Sequence, residues 1–369
     1  MRKKSASFLV INPFGIGDVL FSTPLIRNLR ENFPAAEIYY LCNRRTAPIL
    51  KQHTLLKKVF VYERDDFVKA RKQSFRAWLK KFCGFIGEIR AERIDAVIDL
   101  SLNTQYGFFA WLAGIPRRYG LDYKNRCRFL NKKIAIGGYS DKHVADYYLD
   151  VLKLLDIEPK ICGLEIYTDI ASNDRAETFL KQKGISEKNC IIGIAPCGGS
   201  AFGKDAYIKR WPADKYSALI DGLINEFKAK IFIFAGPEEK EDVAGILQAV
   251  RLKSDVYEFT GSSLAQTAAL VDKCGLFIGN DTGPLRFADA LNKKIVALFG
   301  PVDEKVYGPY PYEQGRTVVI KKDMACRPCY RKFRLPPCPY NKKCLEDITV
   351  EEVLQAVRKL RGQEKNFSV

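Results

Sequence analysis

The chain has 369 residues, of which 47% are hydrophobic and 28% charged, and its formal net charge is +17. This composition excludes a disordered chain, the length favours two domains over one compact core, and no apolar run reaches the roughly eighteen residues of a membrane span. The charge favours anionic partners, whether phosphates, nucleic acids or membrane surfaces, without choosing among them.

The opening Met1-Arg2-Lys3-Lys4 looks like the start of a signal peptide, but Asn12, Pro13 and Asp18 interrupt the apolar run behind it, so a cytoplasmic protein is expected. Residues 8–11 form a short apolar run that ends in Asn-Pro and a glycine-containing turn. A Pro-initiated periodic segment follows at 24–32, giving the order buried strand, loop, helix. Further strands are expected at 37–42, 96–100, 190–195, 230–235, 275–278 and 295–299, each beside helix-like sequence. That alternation calls for parallel sheets covered on both faces. Helical sequence at 147–155 gives way to a polar connection at 163–173 and a new helix at 174–183, which sets the expected domains at 1–168 and 169–369. The second domain also carries a Cys-rich segment, 326–344, and a last helix at 350–361 that suits packing on either half. Residues 64–93 and 117–133 are basic with interspersed aromatics, which reads as a solvated face or as a docking surface.

Folds of this class bind ligands at the carboxyl ends of their strands. The first such loop, Pro13-Phe14-Gly15-Ile16-Gly17-Asp18, sets a carboxylate after two glycines that let backbone approach a ligand closely. Asp18 is there either a helix cap or a general base. It is not a dinucleotide fingerprint, because Leu20 occupies the third glycine position. The Gly-rich stretch 196–200 leads to Lys209-Arg210-Trp211-Pro212, where a cation before a Pro-started helix suits an anionic group, or is simply a basic loop. In Gly236-Pro237-Glu238-Glu239 the last carboxylate either accepts from the vicinal hydroxyls of a ribose or marks a Glu-rich helix start. In Gly279-Asn280-Asp281-Thr282-Gly283-Pro284-Leu285-Arg286, Thr282 and the amides after it can cradle a diphosphate while Arg286 pairs with the same charge. No D-x-D sequence occurs and the histidines are His53 and His143, so a metal-dependent diphosphate site of that type is not expected. Cys326, Cys329, Cys338 and Cys344 leave structural zinc, free thiols and disulfides open.

The order and spacing of these pieces resemble glycosyltransferase family 9, the ADP-heptose:lipopolysaccharide heptosyltransferases, from Phe8 to about Val353. The resemblance is carried by Gly15-x-Gly17-Asp18 with Thr23-Pro24-Leu25, Lys209-Arg210-Trp211-Pro212, Gly236-Pro237-x-Glu239, the loop 279–284, and Ala297-Leu298-Phe299-Gly300-Pro301. It implies an α/β GT-B fold, two Rossmann-like domains whose parallel sheets face an interdomain cleft, with an acceptor-binding first half and a donor-binding second half. It implies inverting transfer without metal or other cofactor. Asp18 would be the base, flanked by Gly15 and Gly17 on the acceptor side. Lys209 would contact donor phosphate or sugar, Glu239 the ribose, and Asp281, Thr282 and Gly283 would form the sugar and diphosphate loop. The implied donor is ADP-heptose or another nucleotide-diphosphate sugar. The implied acceptor is an anionic, lipid-linked glycan of the lipopolysaccharide-core kind at the inner face of the cytoplasmic membrane, with no nucleic-acid partner. The cysteine pairs near the end also recur among similar members. Where the family usually has His after Asp-Thr-Gly-Pro-x, this chain has Arg286, which still neutralises phosphate but leaves the donor sugar open. A relative that binds a nucleotide or glycan without transferring sugar is the alternative reading.

Overall fold

The computed structural model of the chain describes residues 6–186, 188–199 and 203–362. Met1 to Lys4 and Ser200 of the glycine-rich stretch lie outside the described residues. Two compact units divide at Cys162 and Gly163, with Ser140–His143 counted in the second.

The first unit holds a sheet of β1 (Ser7–Ile11), β2 (Glu37–Cys42), β3 (Lys58–Val61), β4 (Ala96–Asp99), β5 (Arg117–Tyr123) and β6 (Lys132–Ile136). The second holds β7 (Ile191–Ala195), β8 (Lys230–Ile233), β9 (Val256–Glu258), β10 (Leu276–Asn280), β11 (Lys294–Leu298) and β12 (Thr317–Ile320). The spatial orders are β3-β2-β1-β4-β5-β6 and β12-β11-β10-β7-β8-β9. Every pairing is parallel. The central strands β1, β7 and β10 are buried along their whole length, as strands covered on both faces must be, and this is why they stand out as unbroken apolar runs. Leu9, Ile11, Leu41, Val97 and Phe109 lie in the first core, and Ile194, Leu223, Ile278 and Val296 in the second.

In each sheet the strand order reverses once, between β1 and β4 in the first and between β7 and β10 in the second. The loops that leave these neighbouring strands diverge, and the crevice between them is the ordinary ligand position of such folds. The Asp18 loop follows β1 and the Asp281 loop follows β10, so each motif sits at a reversal point.

The last helix, Val350–Gly362, packs on the second unit. Its Val353, Ala356, Val357 and Leu360 repeat at helical spacing and enter the core beside the helix Ala213–Phe227. Trp211 fixes the entry to this helix, donating from Nε1 to the carbonyl of Ile348 at 3.0 Å. Leu360→Ala is expected to destabilise the second unit by about 2–5 kcal/mol. A urea midpoint unchanged from wild type would show that the helix is not part of that core.

Candidate functional site

The reversal point of the second sheet is held by side chains that reach across its loops. Asn280 ends β10 and is fully buried, and its Nδ2 donates to the carbonyls of Pro196 at 2.7 Å and Cys197 at 3.3 Å. One amide thus ties the loop after β7 to the end of β10. In that loop, a Cβ on Gly198 would stand 2.2 Å from the carbonyl oxygen of Ala206, and Gly199 has a φ of +68°, so neither position takes a side chain without strain. Glu239 closes the other side. Its Oε1 accepts from the Gly199 amide and its Oε2 from the Gly236 amide, both at 2.8 Å. Three loops are therefore locked together by Asn280 and Glu239 before any ligand is considered.

The charged centre is Asp281. Lys209 Nζ lies 2.6 Å from one of its oxygens, and the guanidinium of Arg286 bonds the other. Burial alone would raise the Asp281 pKa, but Lys209 and Arg286 outweigh it and hold the carboxyl below its ordinary value. Two cations thus converge on one largely buried carboxylate. Thr282 caps the helix Gly283–Ala290, with Pro284 in its first turn. The Thr282 hydroxyl is buried and makes no hydrogen bond among the described residues, so the side chain in the capping position does not satisfy the helix amides. A helix amino terminus, a buried hydroxyl with no hydrogen bond among the described residues and two cations therefore stand close together at this loop, and each is a group that favours negative charge.

Arg286 is turned inward. It is 2% exposed and also donates to the Tyr307 carbonyl, so its charge acts from behind Asp281 rather than from an open arm of the loop. Behind it, His143 Nε2 bonds the Gly308 carbonyl at 3.1 Å and its ring stacks on Tyr310 at 4.6 Å. Burial, reinforced by the Arg286 charge, pushes His143 down to about 3, which keeps the ring neutral. Asp289 receives the Tyr310 amide at 2.7 Å and Arg316 at 3.0 Å. Sequence reasoning did not find this supporting layer; the only signal was that Asp289 lies three residues from Arg286 on one helix.

In the first unit, Asp18 belongs to a short helix, Ile16–Phe21, and its Oδ2 accepts from the amide of Gly15 at 3.2 Å. Gly15 is the residue before the helix and Gly17 lies in its first turn. The capping role is thus present in one carboxylate oxygen. The loop is framed by Asn12, which donates to the Asp18 carbonyl at 3.0 Å, and by Asn43, which donates to the carbonyls of Pro13 and Phe14, both at 2.8 Å. Arg45 reaches the same place, its Nη2 lying 3.7 Å from where a Gly15 Cβ would stand. Across the reversal point, Asp99 ends β4 in register with Ile11. Its Oδ1 accepts from the Ser101 amide at 2.8 Å, while its Oδ2 is buried and bonds nothing among the described residues.

Cys326, Cys329, Cys338 and Cys344 are free thiols. Cys329 Sγ bonds the Cys326 carbonyl at 3.1 Å and the Lys342 amide donates to Cys338 Sγ at 3.3 Å. Among the described residues, no group of three or more His, Cys, Asp or Glu side chains is arranged to hold a metal ion.

The family model for glycosyltransferase family 9 (heptosyltransferase) matches residues 84–337, more than half of the chain. The chain belongs to glycosyltransferase family 9. Among curated relatives, lipopolysaccharide heptosyltransferase 3 of Escherichia coli K12 is 26% identical over 357 residues, covering 93% of this chain and 95% of its own length. Lipopolysaccharide heptosyltransferase 2 of the same strain is 24% identical over 367 residues, covering 97% and 99%. Among solved structures, the family 9 glycosyltransferase of Veillonella parvula superposes with a TM-score of 0.80 at 25% identity, over 98% of this chain and 99% of that one. The E. coli ADP-heptose heptosyltransferase II matches in fold with a TM-score of 0.76 at 22% identity, over 97% and 99%. Two parallel sheets, each flanked by helices, make this family 9 chain a GT-B protein of two Rossmann-like units.

Asn280→Ala removes both carbonyl contacts across the reversal point and leaves those carbonyls unpaired. A loss of about 1–3 kcal/mol is expected in urea unfolding of the second unit; an unchanged midpoint would show that the amide does not hold the loops. In the first unit, burial raises Asp99 to about 6, so the folded chain keeps a proton that the unfolded chain releases near its ordinary carboxyl value. Stability should therefore fall as pH rises from about 4 to about 6, by roughly 3 kcal/mol for this group. Asp99→Asn should flatten that slope, as read by denaturation at each pH.

Proposed function

We propose that this family 9 chain is an inverting, metal-independent glycosyltransferase. It moves a sugar, heptose on this reading, from a nucleotide-diphosphate donor to an anionic, lipid-linked glycan of the lipopolysaccharide-core kind. The observation that carries the donor half is the meeting of Lys209 and Arg286 on Asp281 beside the amino end of the helix Gly283–Ala290. A leaving nucleoside diphosphate needs neutralising, and a preorganised cation pair with helix amides supplies that charge without a D-x-D metal site. In this reading Lys209 meets donor phosphate or sugar, Thr282 and the Gly283 amide take the diphosphate, and Arg286 keeps Asp281 oriented toward the sugar. Glu239 takes the ribose, at the point where it already fixes the Gly199 and Gly236 amides.

The acceptor half rests on Asp18, flanked by Gly15 and Gly17. As general base Asp18 removes the proton of an acceptor hydroxyl, whose oxygen attacks the anomeric carbon on the face opposite the leaving diphosphate. The new carbon–oxygen bond forms as the old one breaks, which inverts the centre. Support for heptose and for ADP comes from the similar proteins named as heptosyltransferases, one of which, E. coli heptosyltransferase WaaC, is solved both with ADP and with ADP-2-deoxy-2-fluoro heptose. The work site this chemistry calls for is the cytoplasmic side of the inner membrane; no helix among the described residues is long and apolar enough to cross a membrane.

The test is a donor screen with purified protein and ADP-, GDP- and UDP-sugars, run on wild type and Asp18→Asn. ADP-heptose is expected to bind preferentially. The variant should keep that affinity while transfer falls about 10²- to 10⁴-fold. Turnover at the wild-type rate removes Asp18 from the base role, and donor binding with no turnover in wild type favours a relative that binds without transferring.

A further inference from the structure

Two helices of the first unit, Arg64–Gln73 and Phe75–Ala91, leave a large basic and apolar surface that neither core uses. Between Asp66 and Glu88 the chain carries Lys69, Arg71, Lys72, Arg76, Lys80 and Lys81 and no acidic residue. Lys69, Lys72, Arg76 and Lys80 are exposed and have no carboxylate partner among the described residues. Side by side with them stand Val68, Phe75 and Leu79, which are 44%, 56% and 41% exposed. On the second of these helices Phe75 and Leu79 are four residues apart, as are Arg76 and Lys80, so an apolar stripe and a cationic stripe run together along one open face.

A second exposed apolar group stands on the next helix. Phe82 packs on Phe109 of the neighbouring helix Thr104–Leu112 at 5.6 Å, and that helix exposes Trp111 by 51%. Trp111 in turn clusters with Phe108 at 5.9 Å and Phe129 at 5.7 Å, beside the exposed Arg126 and Arg128. The surface begins at the carboxyl edge of the sheet, the edge that also carries Asp18: one helix pair leaves from the end of β3 and the Trp111 helix from the end of β4.

Cations among aromatics suit either a single-stranded nucleic acid or an anionic lipid surface, and the ring geometry decides between them. Bases bind aromatic side chains through open ring faces. Here the faces are occupied: Phe75 stacks on Trp78 at 5.6 Å, Trp78 on Phe82 at 5.2 Å and 7°, and the Arg71 guanidinium sits 4.8 Å over the Phe75 ring. What remains exposed is the apolar edge of Phe75, the Leu79 side chain and Trp111 within a field of lysine and arginine. That is the pattern of a helix lying in a membrane interface, with apolar groups among the acyl chains and cations at anionic headgroups.

We infer that the face built by Phe75, Arg76, Leu79 and Lys80 docks the protein on an anionic lipid bilayer, bringing the Asp18 edge to a lipid-linked acceptor. The inference deepens the proposed function, from which it takes the location of the acceptor. Its test uses vesicles free of donor and acceptor, so docking can fail while transfer stands, and transfer can fail while docking stands. The full chain is sedimented with phosphatidylcholine vesicles and with phosphatidylcholine vesicles containing phosphatidylglycerol, at low and high salt. Partition is expected only onto the anionic vesicles, weakened by salt. The double variant Arg76→Glu, Lys80→Glu should lower partition at least about tenfold with circular dichroism and ADP binding unchanged. Equal partition of this variant, equal partition onto neutral vesicles, or binding to a single-stranded oligonucleotide without vesicle partition would overturn the inference.

Discussion

The second unit is organised around a buried ion cluster. Asp281 stands between Lys209 and Arg286, and all three are largely withdrawn from water. A buried ion needs a partner, and each of these three has one within the cluster. Removing one member would leave another buried without that partner, so the cluster depends on the chain around it. This is the reason for the hydrogen bonds around it: Tyr307 supplies a carbonyl to Arg286, and the neutral His143 ring stands close by without adding a like charge.

The first unit shares the strand order and the reversal point but carries the opposite chemistry there. Its loop after β1 presents a carboxylate, Asp18, where the loop after β10 presents a compensated cation pair. The frame differs in the same sense: Asn12 and Asn43 hold backbone carbonyls in place without bringing charge of their own. One architecture thus carries a carboxylate on one loop and an ion cluster at the other, because the sheet fixes only where loops emerge and the loop residues fix their chemistry.

Much of this was legible from residue order. The buried central strands were visible as apolar runs, and the two reversal-point loops were visible as glycine, Asp and Thr clusters after such runs. The edge strands were not. β3 begins with Lys58 and β6 with Lys132 and Lys133, so exposure on one side broke the apolar pattern, and β5 lay inside a stretch that reads as basic surface. The helix Ile16–Phe21 reads as loop because it is about one and a half turns long, with Gly15 before it and Gly17 in its first turn, too short for periodicity to register. Side-chain direction was harder still. Nothing in residue spacing tells that Glu239 already binds two backbone amides, or that Arg286 faces Asp281 and Tyr307, because those partners come from other loops.

That direction bears on the departure from the family pattern at this position. An arginine there serves Asp281 and the Tyr307 carbonyl at once through a rigid, multiply donating fork. A histidine is shorter and offers two nitrogens on one ring. Arg286 thus ties the carboxylate of Asp281 to the backbone near Tyr307 through a single side chain. On the proposed reading of Asp281 as a sugar contact, the residue in this place acts on the donor through how it orients that carboxylate.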